Sequence, residues 1–223
     1  MTISIDWKLK KANPVLALGV VEALVTVEKH SEALWTEINS VVAGVPSRYT
    51  LEKLVYAPEV AAVRNTYKQI GKDPSRYRGS AEALLRRVLK GKDLYRVNNI
   101  VDLNNLVSLE TAHPVGSYDL DKLTAPIEFR IGALGESYKG IGKETINIAE
   151  LPVFADTVGP FGSPTSDSER AMITETTTTV MMVIISFTGR TGLDESVEKA
   201  AERLTQYCRG EIADITVIEE VKT

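Results

Sequence analysis

The sequence is poor in the side chains that most often bind metals or act as nucleophiles. Its 223 residues include one cysteine and two histidines, and aromatic residues make up only 6% of the chain. Metal sites need several ligands at short spacing, and the positions of Cys208, His30 and His113 provide none. A lone cysteine also excludes an internal disulfide, which favours a reducing compartment. We therefore expect no metal, no cofactor and a cytoplasmic location.

Long apolar runs and a leader segment are missing as well. No stretch approaches the roughly 18 apolar residues that a membrane-spanning helix needs. The N-terminus has no basic region followed by an apolar core, so we expect no secretory signal and no membrane partner. The longest apolar runs, Val15–Val27 and Val180–Phe187, are typical of buried strands.

The chain lacks an excess of positive charge, but its charges are segregated. The formal net charge is −4, which argues against a general polyanion binder and against a DNA partner. Residues 64–96, however, carry 10 basic and 3 acidic side chains, a local charge of +7, and the remainder of the chain is at −11. Such asymmetry indicates an anionic partner for one face of the protein.

Hydrophobic periodicity predicts a mixed α+β fold. The predicted helices are 29–42 (ended by Gly44), 58–70, 80–90 (capped by Ser80), 98–112 and 194–208. The predicted strands are 3–6, 15–27, 127–131, 145–148, 153–156, 176–187 and 212–221. We predict a single domain over residues 1–223, in which helices flank a central, largely antiparallel sheet.

The scarce reactive side chains each have a structural interpretation. Cys208 lies among apolar neighbours on a predicted helix and is expected in the core, whereas His30 is expected at the surface. His113 lies at a helix end, where the partial negative charge favours the protonated imidazole. Gly140 and Gly142 lack the third glycine of a phosphate-binding loop, so we assign them to a β-hairpin around Glu136–Lys139.

Two interpretations of the basic segment stay open. In one, its cationic side chains are solvated and pair with the acidic remainder of the protein. In the other, they form a surface with an aromatic inside it, suited to a phosphate backbone and an unpaired base. The predicted RNA-binding residues are Arg76, Tyr77, Arg78, Arg86, Arg87 and Lys90.

Three stretches together resemble a known family. They are Asp73–Lys92 (DPSRYRGSAEALLRRVLKGK), Asn98–Lys122 (NNIVDLNNLVSLETAHPVGSYDLDK) and Asp167–Met182 (DSERAMITETTTTVMM). All three resemble the tRNA-binding (B3/B4) domain of the phenylalanyl-tRNA synthetase beta chain, particularly its free-standing relatives. The resemblance extends over about residues 15–220 and leaves no room for a catalytic synthetase module, which implies that the domain stands alone.

The resemblance implies a mixed α+β fold and an editing activity. In bacterial synthetases this domain hydrolyses tyrosine wrongly attached to phenylalanine tRNA. A synthetic site built for Phe rejects Tyr poorly, and an editing pocket can offer the phenol a hydrogen bond that Phe cannot use. An aminoacyl ester is already activated, so its hydrolysis needs a positioned water and no catalytic triad.

This chain departs from the bacterial pattern at two pocket positions. Gly116 stands where those enzymes carry a histidine, and their pocket glutamate falls near Val183. The polar residues around the implied pocket, between helix 98–112 and the closing strand, give a predicted site. Its catalytic residues are Asn104, Glu110, Gly116, Thr174 and Glu175, and its substrate-binding residues are His113, Ser117, Asp119, Arg170 and Thr177. Structural alternatives are a polar helix face for Asn104, turn capping by Asp119 and Asp121, and an Arg170–Glu175 ion pair.

Three functions compete at this point. The first is a stand-alone aminoacyl-tRNA deacylase that acts in trans, with the basic face holding the acceptor end of the tRNA and a pocket holding the amino acid. The second is a tRNA- or RNA-binding module without catalysis. The third is a small-molecule amino-acid-binding or hydrolytic protein that has lost the RNA.

Overall fold

The computed structural model describes residues 1–219, which form six α-helices and ten β-strands. The helices are α1 (Trp7–Ala12), α2 (Glu32–Arg48), α3 (Pro58–Gln69), α4 (Ser80–Leu89), α5 (Asn99–Thr111) and α6 (Leu193–Cys208). The strands are β1 (Ile3–Ile5), β2 (Ala17–Leu24), β3 (Val115–Asp119), β4 (Ile127–Ile131), β5 (Ser137–Lys139), β6 (Thr145–Asn147), β7 (Pro152–Ala155), β8 (Pro160–Gly162), β9 (Thr179–Ser186) and β10 (Glu211–Ile218). The last two residues of the predicted strand 212–221 lie outside the described residues.

The strands form two four-stranded sheets and a hairpin. One sheet has the order β10-β2-β9-β3 and is antiparallel throughout. The other has the order β1-β4-β7-β8, with β1 and β4 parallel and the remaining pairs antiparallel. Strands β5 and β6 pair as the hairpin expected around Glu136–Lys139. The predicted mixed α+β fold with largely antiparallel sheets flanked by helices is confirmed.

Strand β9 is buried on both faces because it lies between two layers. Met181, Val183 and Ile185 face the second sheet and pack in a cluster with Phe129 and Phe161. The alternate residues of β9 face the helices, where a separate cluster joins them to α2, α5 and α6. The period of two along a strand therefore sends alternate residues to the two layers, and the sheet β10-β2-β9-β3 lies in the middle.

Two of the predicted helix-end signals are wrong, and α2 also begins at Glu32, three residues later than predicted. Helix α2 does not end at Gly44 but continues through Pro46 to Arg48. Val45 is fully buried and Arg48 donates hydrogen bonds to the carbonyls that end α5, so tertiary contacts extend the helix. Ser80 is not the N-cap of α4: Gly79 holds that position without a side-chain hydrogen bond. The amide of Ser80 donates to the carbonyl of Pro164 instead.

No helix within residues 1–219 has the length and apolar character to cross a membrane.

Candidate functional site

Five of the predicted site residues meet in a polar network at the edge strand β3. The Ser117 hydroxyl donates to Asn104 Oδ1 (2.7 Å), and the Thr177 hydroxyl donates to Asp119 Oδ2 (2.8 Å). The backbone N–H of Thr174 donates in turn to Thr177 Oγ1 (3.0 Å). Asp119 also caps the turn after β3, as its structural interpretation predicted. These contacts satisfy the buried polar groups and hold α5, β3 and the start of β9 in register.

Gly116 and Val183, the two positions where the chain departs from the bacterial pattern, lie opposite each other on β3 and β9. The ring of Tyr118 covers Gly116. A methyl group added at Gly116, or at Gly162 across the interface, would overlap the Tyr118 hydroxyl. That hydroxyl donates to Asp167 Oδ1 (2.9 Å). The space between the sheets at this point is therefore filled by an aromatic side chain of the protein itself.

Glu175 and Arg170 lie outside that network, and they do not form an ion pair with each other. Glu175 is exposed and pairs with Lys29 (3.1 Å), whereas Arg170 pairs with Asp156 (2.9 Å) and lies over the ring of Phe161. The interpretation of Arg170 and Glu175 as an ion pair is wrong, because each residue has a nearer partner of opposite charge.

Glu110 and His113 belong to a different place, a polar cleft at the C-terminal end of α5. The cleft has a volume of about 520 Å³ and is bounded by the end of α2, the start of α3, the end of α5 and the first turns of α6. Its lining residues are Arg48, Glu59, Val107, Glu110, Thr111, His113, Thr191, Gly192, Glu195, Ser196, Lys199 and Arg203. The structure thus divides the predicted site between the β3 edge and this cleft.

Two arginines set the electrostatics of the cleft where α5 ends. Arg203 forms ion pairs with both Glu110 and Glu37 (2.8 Å from its Nη2 to Glu110 Oε1). Arg48 donates to the carbonyl oxygens of Leu109 (2.6 Å) and Glu110 (3.0 Å), which carry the partial negative charge of the α5 terminus. Glu110 is therefore already neutralised by an arginine.

Glu59, at the start of α3, is the carboxylate of the cleft that remains available. No ion pair joins it to a Lys or Arg within residues 1–219, whereas Glu195 is paired with Lys199 (2.7 Å). The sequence offered no signal for Glu59, Arg48 or Arg203, because they reach the cleft from three separate helices.

His113 is the buried titratable group of the cleft wall. It is 7% exposed, and its Nδ1 atom is buried without a hydrogen-bond partner. Burial lowers the pKa of His113 to about 4. The expectation of a protonated imidazole is therefore wrong, since the cost of burying a charge exceeds the attraction of the helix end. At neutral pH this side chain is an uncharged imidazole.

Cys208 and His30 have the structural roles predicted for them. Cys208 is fully buried among the residues that α6 packs against the sheet, and burial raises the pKa of its thiol to about 12. His30 is exposed and contacts Glu32. Neither contributes a reactive group, and residues 1–219 contain no cluster of three or more potential metal ligands.

Two of the five predicted cations, Arg78 and Arg86, are committed to a buried carboxylate. Glu82 of α4 is 3% exposed and contacts Arg86 (2.8 Å), Arg64 (3.1 Å) and Arg78 (3.3 Å). Tyr77 is half-buried beneath Lys72 and Arg76, whose charges lie 5.4 and 5.6 Å from its ring centre. For Arg78 and Arg86 the structural interpretation, pairing with an acid of the same protein, therefore holds.

The remaining predicted cations, Arg87 and Lys90, lie beside residues that the sequence interpretation did not include. The Arg87 guanidinium lies 4.1 Å from the ring centre of Tyr95, and that of Arg96 lies 4.5 Å from the ring of Trp35. Tyr95 lies within the +7 segment and could have been found from the sequence, but Trp35 is 61 positions from Arg96. Only the packing of α2 against the segment before α5 brings these two together.

Comparisons with known proteins point in one direction. The model of a family described as the B3/4 domain matches residues 62–213, about two thirds of the chain. Among solved structures, an N-terminal fragment of the phenylalanyl-tRNA synthetase beta-subunit from Pyrococcus horikoshii is similar, with 16% sequence identity and a TM-score of 0.46. That match covers 97% of this chain but 50% of the fragment, so the chain spans half the length of the relative. No curated protein matches the sequence.

Proposed function

The chain belongs to the B3/4-domain family, a module related to aminoacyl-tRNA synthetases, and on that premise we propose that it hydrolyses the ester of a mischarged tRNA in trans. We place the reaction in the cleft at the end of α5. The observation that carries the proposal is the uncharged imidazole of His113 in the wall of that cleft; its Nδ1 atom is buried, which leaves Nε2 to face a substrate water. We also propose that the domain extends beyond the matched residues, over about residues 15–220.

The reaction needs few groups from the protein. Water attacks the carbonyl carbon of the aminoacyl ester, and the bond to the ribose oxygen of the tRNA breaks. The proton that leaves the water passes to the imidazole of His113 and then to the departing ribose oxygen, so the products are a free amino acid and a tRNA with an intact hydroxyl. An imidazole that is neutral at the working pH is able to accept this proton.

The charges of the cleft match the ends of this substrate. Glu59 has no ion pair to a Lys or Arg within residues 1–219 and binds the α-amino group, whereas Glu110 is occupied by Arg203. Arg48 faces the cleft without a carboxylate partner within residues 1–219 and binds the phosphate next to the esterified ribose. A carboxylate without an ion pair and a guanidinium without a carboxylate partner thus orient the ester carbonyl between them.

Deacylation assays on His113→Gln test the proposal. tRNA(Phe) charged with tyrosine or with phenylalanine is incubated with protein, and release of the labelled amino acid is followed. General acid–base groups typically contribute 10²- to 10⁴-fold, so we expect the variant to lose about 100-fold or more in kcat/KM. His30→Gln, which alters the exposed histidine, is the matched control and should retain the wild-type rate.

A second variant separates chemistry from folding. Glu59→Gln changes a half-buried carboxylate without an ion pair, so the protein should keep its stability and show a raised KM for charged tRNA. Urea unfolding of each variant accompanies the rates. If wild-type protein accelerates hydrolysis of no aminoacyl-tRNA over buffer, the proposed function is excluded.

One observation favours a non-catalytic RNA-binding module as the second candidate. The space beside Gly116, the position where the bacterial enzymes carry a pocket histidine, is filled by Tyr118. A module of this kind binds tRNA with a steep dependence on salt and leaves the ester intact. The same assay distinguishes the two, because the second candidate predicts retention of charged tRNA without release of the amino acid.

A further inference from the structure

The segment that joins α4 to α5, residues 90–98, presents cations and an aromatic ring to solvent. Lys90 and Lys92 are exposed, and neither has a carboxylate within ion-pair distance in residues 1–219. Tyr95 is 70% exposed. Asp93 is the acid of this segment, and Arg87 of α4 donates to its backbone carbonyl (2.6 Å), not to its carboxylate.

Tyr95 is held so that a flat ligand can stack on it. Arg87 lies 4.1 Å from its ring centre and is itself fixed by the hydrogen bond to the segment. Arg87 covers one face of the Tyr95 ring. Because the ring is highly exposed, its opposite face is available to a ligand. An exposed aromatic fixed in this way is a platform for an unpaired base, since every base offers a π-face.

A groove with an apolar floor and a cationic rim lies beneath the same segment. It has a volume of about 580 Å³, and its lining residues are Trp35, Asn39, Val42, Val88, Gly91, Lys92, Asp93, Leu94 and Arg96. This volume is within the range of small-molecule sites, about 300–1,000 Å³.

The groove wall is anchored through one buried carboxylate. Asp102 accepts from Trp35 Nε1 (2.7 Å) and from the backbone N–H of Val97 (3.0 Å), which fixes the segment against α2. Arg96 covers the Trp35 ring and also contacts His30 and, at 3.7 Å, Glu32. The rim cation that remains unpaired is therefore Lys92.

We propose that this segment and its groove, here called the 90–98 platform, bind a single-stranded stretch of RNA. An unpaired base stacks on Tyr95 and its neighbour enters the groove, while Lys90 and Lys92 contact the backbone phosphates. A duplex does not fit this arrangement because its bases are stacked on each other. The inference rests on the proposed function, in which the RNA is the unpaired acceptor end of a tRNA.

Binding of a fluorescently labelled single-stranded RNA hexamer, followed by anisotropy at low salt, tests the platform. Tyr95→Ala should weaken binding by about 5-fold or more, the usual loss when a base loses its aromatic partner. Replacing both Lys90 and Lys92 by Ala should reduce the slope of log affinity against log salt by about 1.4, since each single-strand phosphate contact contributes about 0.7. The matched controls are Tyr56→Ala and Lys53→Ala, an exposed tyrosine and an exposed lysine in the turn after α2, which should bind like wild type.

Competition identifies the partner. Unlabelled single-stranded RNA should displace the probe, and an RNA duplex of the same sequence or a poly-glutamate peptide should displace it poorly. Displacement by the peptide at the same concentration as by the single strand would overturn the proposal, since it would reveal a general anion surface. Equal affinity of Tyr95→Ala and Tyr56→Ala would overturn it too.

The proposed function is tested separately by wild-type hydrolysis of an amino-acid methyl ester, which is too small to reach from the cleft to the platform. Hydrolysis together with unchanged RNA affinity in Tyr95→Ala rejects the platform alone. No hydrolysis of any ester together with loss of RNA affinity in Tyr95→Ala rejects the deacylase and supports the platform.

Discussion

His113 and Asp167 are titratable side chains whose pKa values move in opposite directions for the same reason. Burial lowers the pKa of His113 to about 4 and raises that of Asp167 to about 6. Asp167 is only partly buried as a residue, but its carboxyl points inward, where it accepts from the Tyr118 hydroxyl and the Ser163 amide. In each case the folded protein favours the uncharged form.

The two shifts make opposite contributions to stability between pH 6.5 and pH 4. The unfolded chain protonates His113 near pH 6.5 while the folded protein does not, so this residue destabilises the fold as pH falls. A drop in pKa from 6.5 to about 4 corresponds to a loss of about 3 kcal/mol. Asp167 takes up a proton in the folded state near pH 6 and in the unfolded chain only near pH 3.8, so it stabilises the fold by about 3 kcal/mol over the same fall.

Removing either side chain should therefore reveal the contribution of the other to the pH dependence of stability. In urea unfolding between pH 7 and pH 4, His113→Gln should gain stability relative to wild type as the pH falls, and Asp167→Asn should lose it. The other carboxylates titrate alike in all three proteins, so the differences report on these two residues. Parallel pH profiles for wild type and His113→Gln would show that the imidazole of the folded protein titrates normally.

At the scale of the element, α4 combines a predicted feature with one that was missed. Its apolar stripe and cationic face are evident from the sequence, because Ala81, Leu85 and Val88 recur at helical spacing and are buried. Glu82, also in the first turn, is buried with them, and three arginines from α3, the loop before α4 and α4 itself surround it. The helix is thus fixed by its charges as well as by its apolar face.

Replacement of Glu82 tests this role. Glu82→Gln leaves three guanidinium groups close together without a counter-charge, and breaking a buried ion pair costs about 3–5 kcal/mol. The arginines are partly exposed and regain water, so we expect a loss near 3 kcal/mol in the free energy of unfolding. Glu198→Gln, at an exposed position of α6, is the control and should change stability by less than about 0.5 kcal/mol. A loss as small as the control's would show that solvated arginines need no buried partner.

The elements differ in how far the sequence could predict them. Helices α3, α4, α5 and α6 were found within a few residues, because their apolar spacing and end signals are local. The extension of α2 to Arg48 could not be found, since the carbonyls that Arg48 contacts are 61 and 62 residues away. Strands β3 and β8 and helix α1 were missed because they are short and have little periodicity of their own.

The candidate site likewise has one part that the sequence predicts and one part that depends on tertiary contacts. Asn104, Ser117, Asp119, Thr174 and Thr177 were expected near one another and do meet at the β3 edge, because α5 leads directly into β3 and β9 pairs with it. Their catalytic and binding roles remain predictions. The cleft partners Arg48, Glu59 and Arg203 depend on how three helices converge, and no local pattern carries that information.

At the scale of the whole molecule, the central sheet decides where a ligand can bind. Apart from the largely exposed edge strand β10, both of its faces are covered, one by helices and one by the second sheet, and the aromatic residues Tyr118, Phe129, Phe154 and Phe161 fill the interface between the sheets. The cleft and the 90–98 platform both lie among the helices. This layering explains why open space beside Gly116, a position that departs from the bacterial pattern, is replaced here by packing.

A double-mutant cycle at Gly116 and Tyr118 tests that replacement. A methyl group at Gly116 meets the Tyr118 hydroxyl, so Gly116→Ala should destabilise by about 1–3 kcal/mol, the usual cost of overpacking. Tyr118→Ala removes the ring from the core and should cost about 3–5 kcal/mol. In the double variant the methyl group enters vacated space, so urea unfolding should give a total at least about 1 kcal/mol below the sum. Gly44→Ala is the control, because a methyl group there has no atom within 4 Å. If the two costs simply add, something other than the Tyr118 ring closes the space beside Gly116.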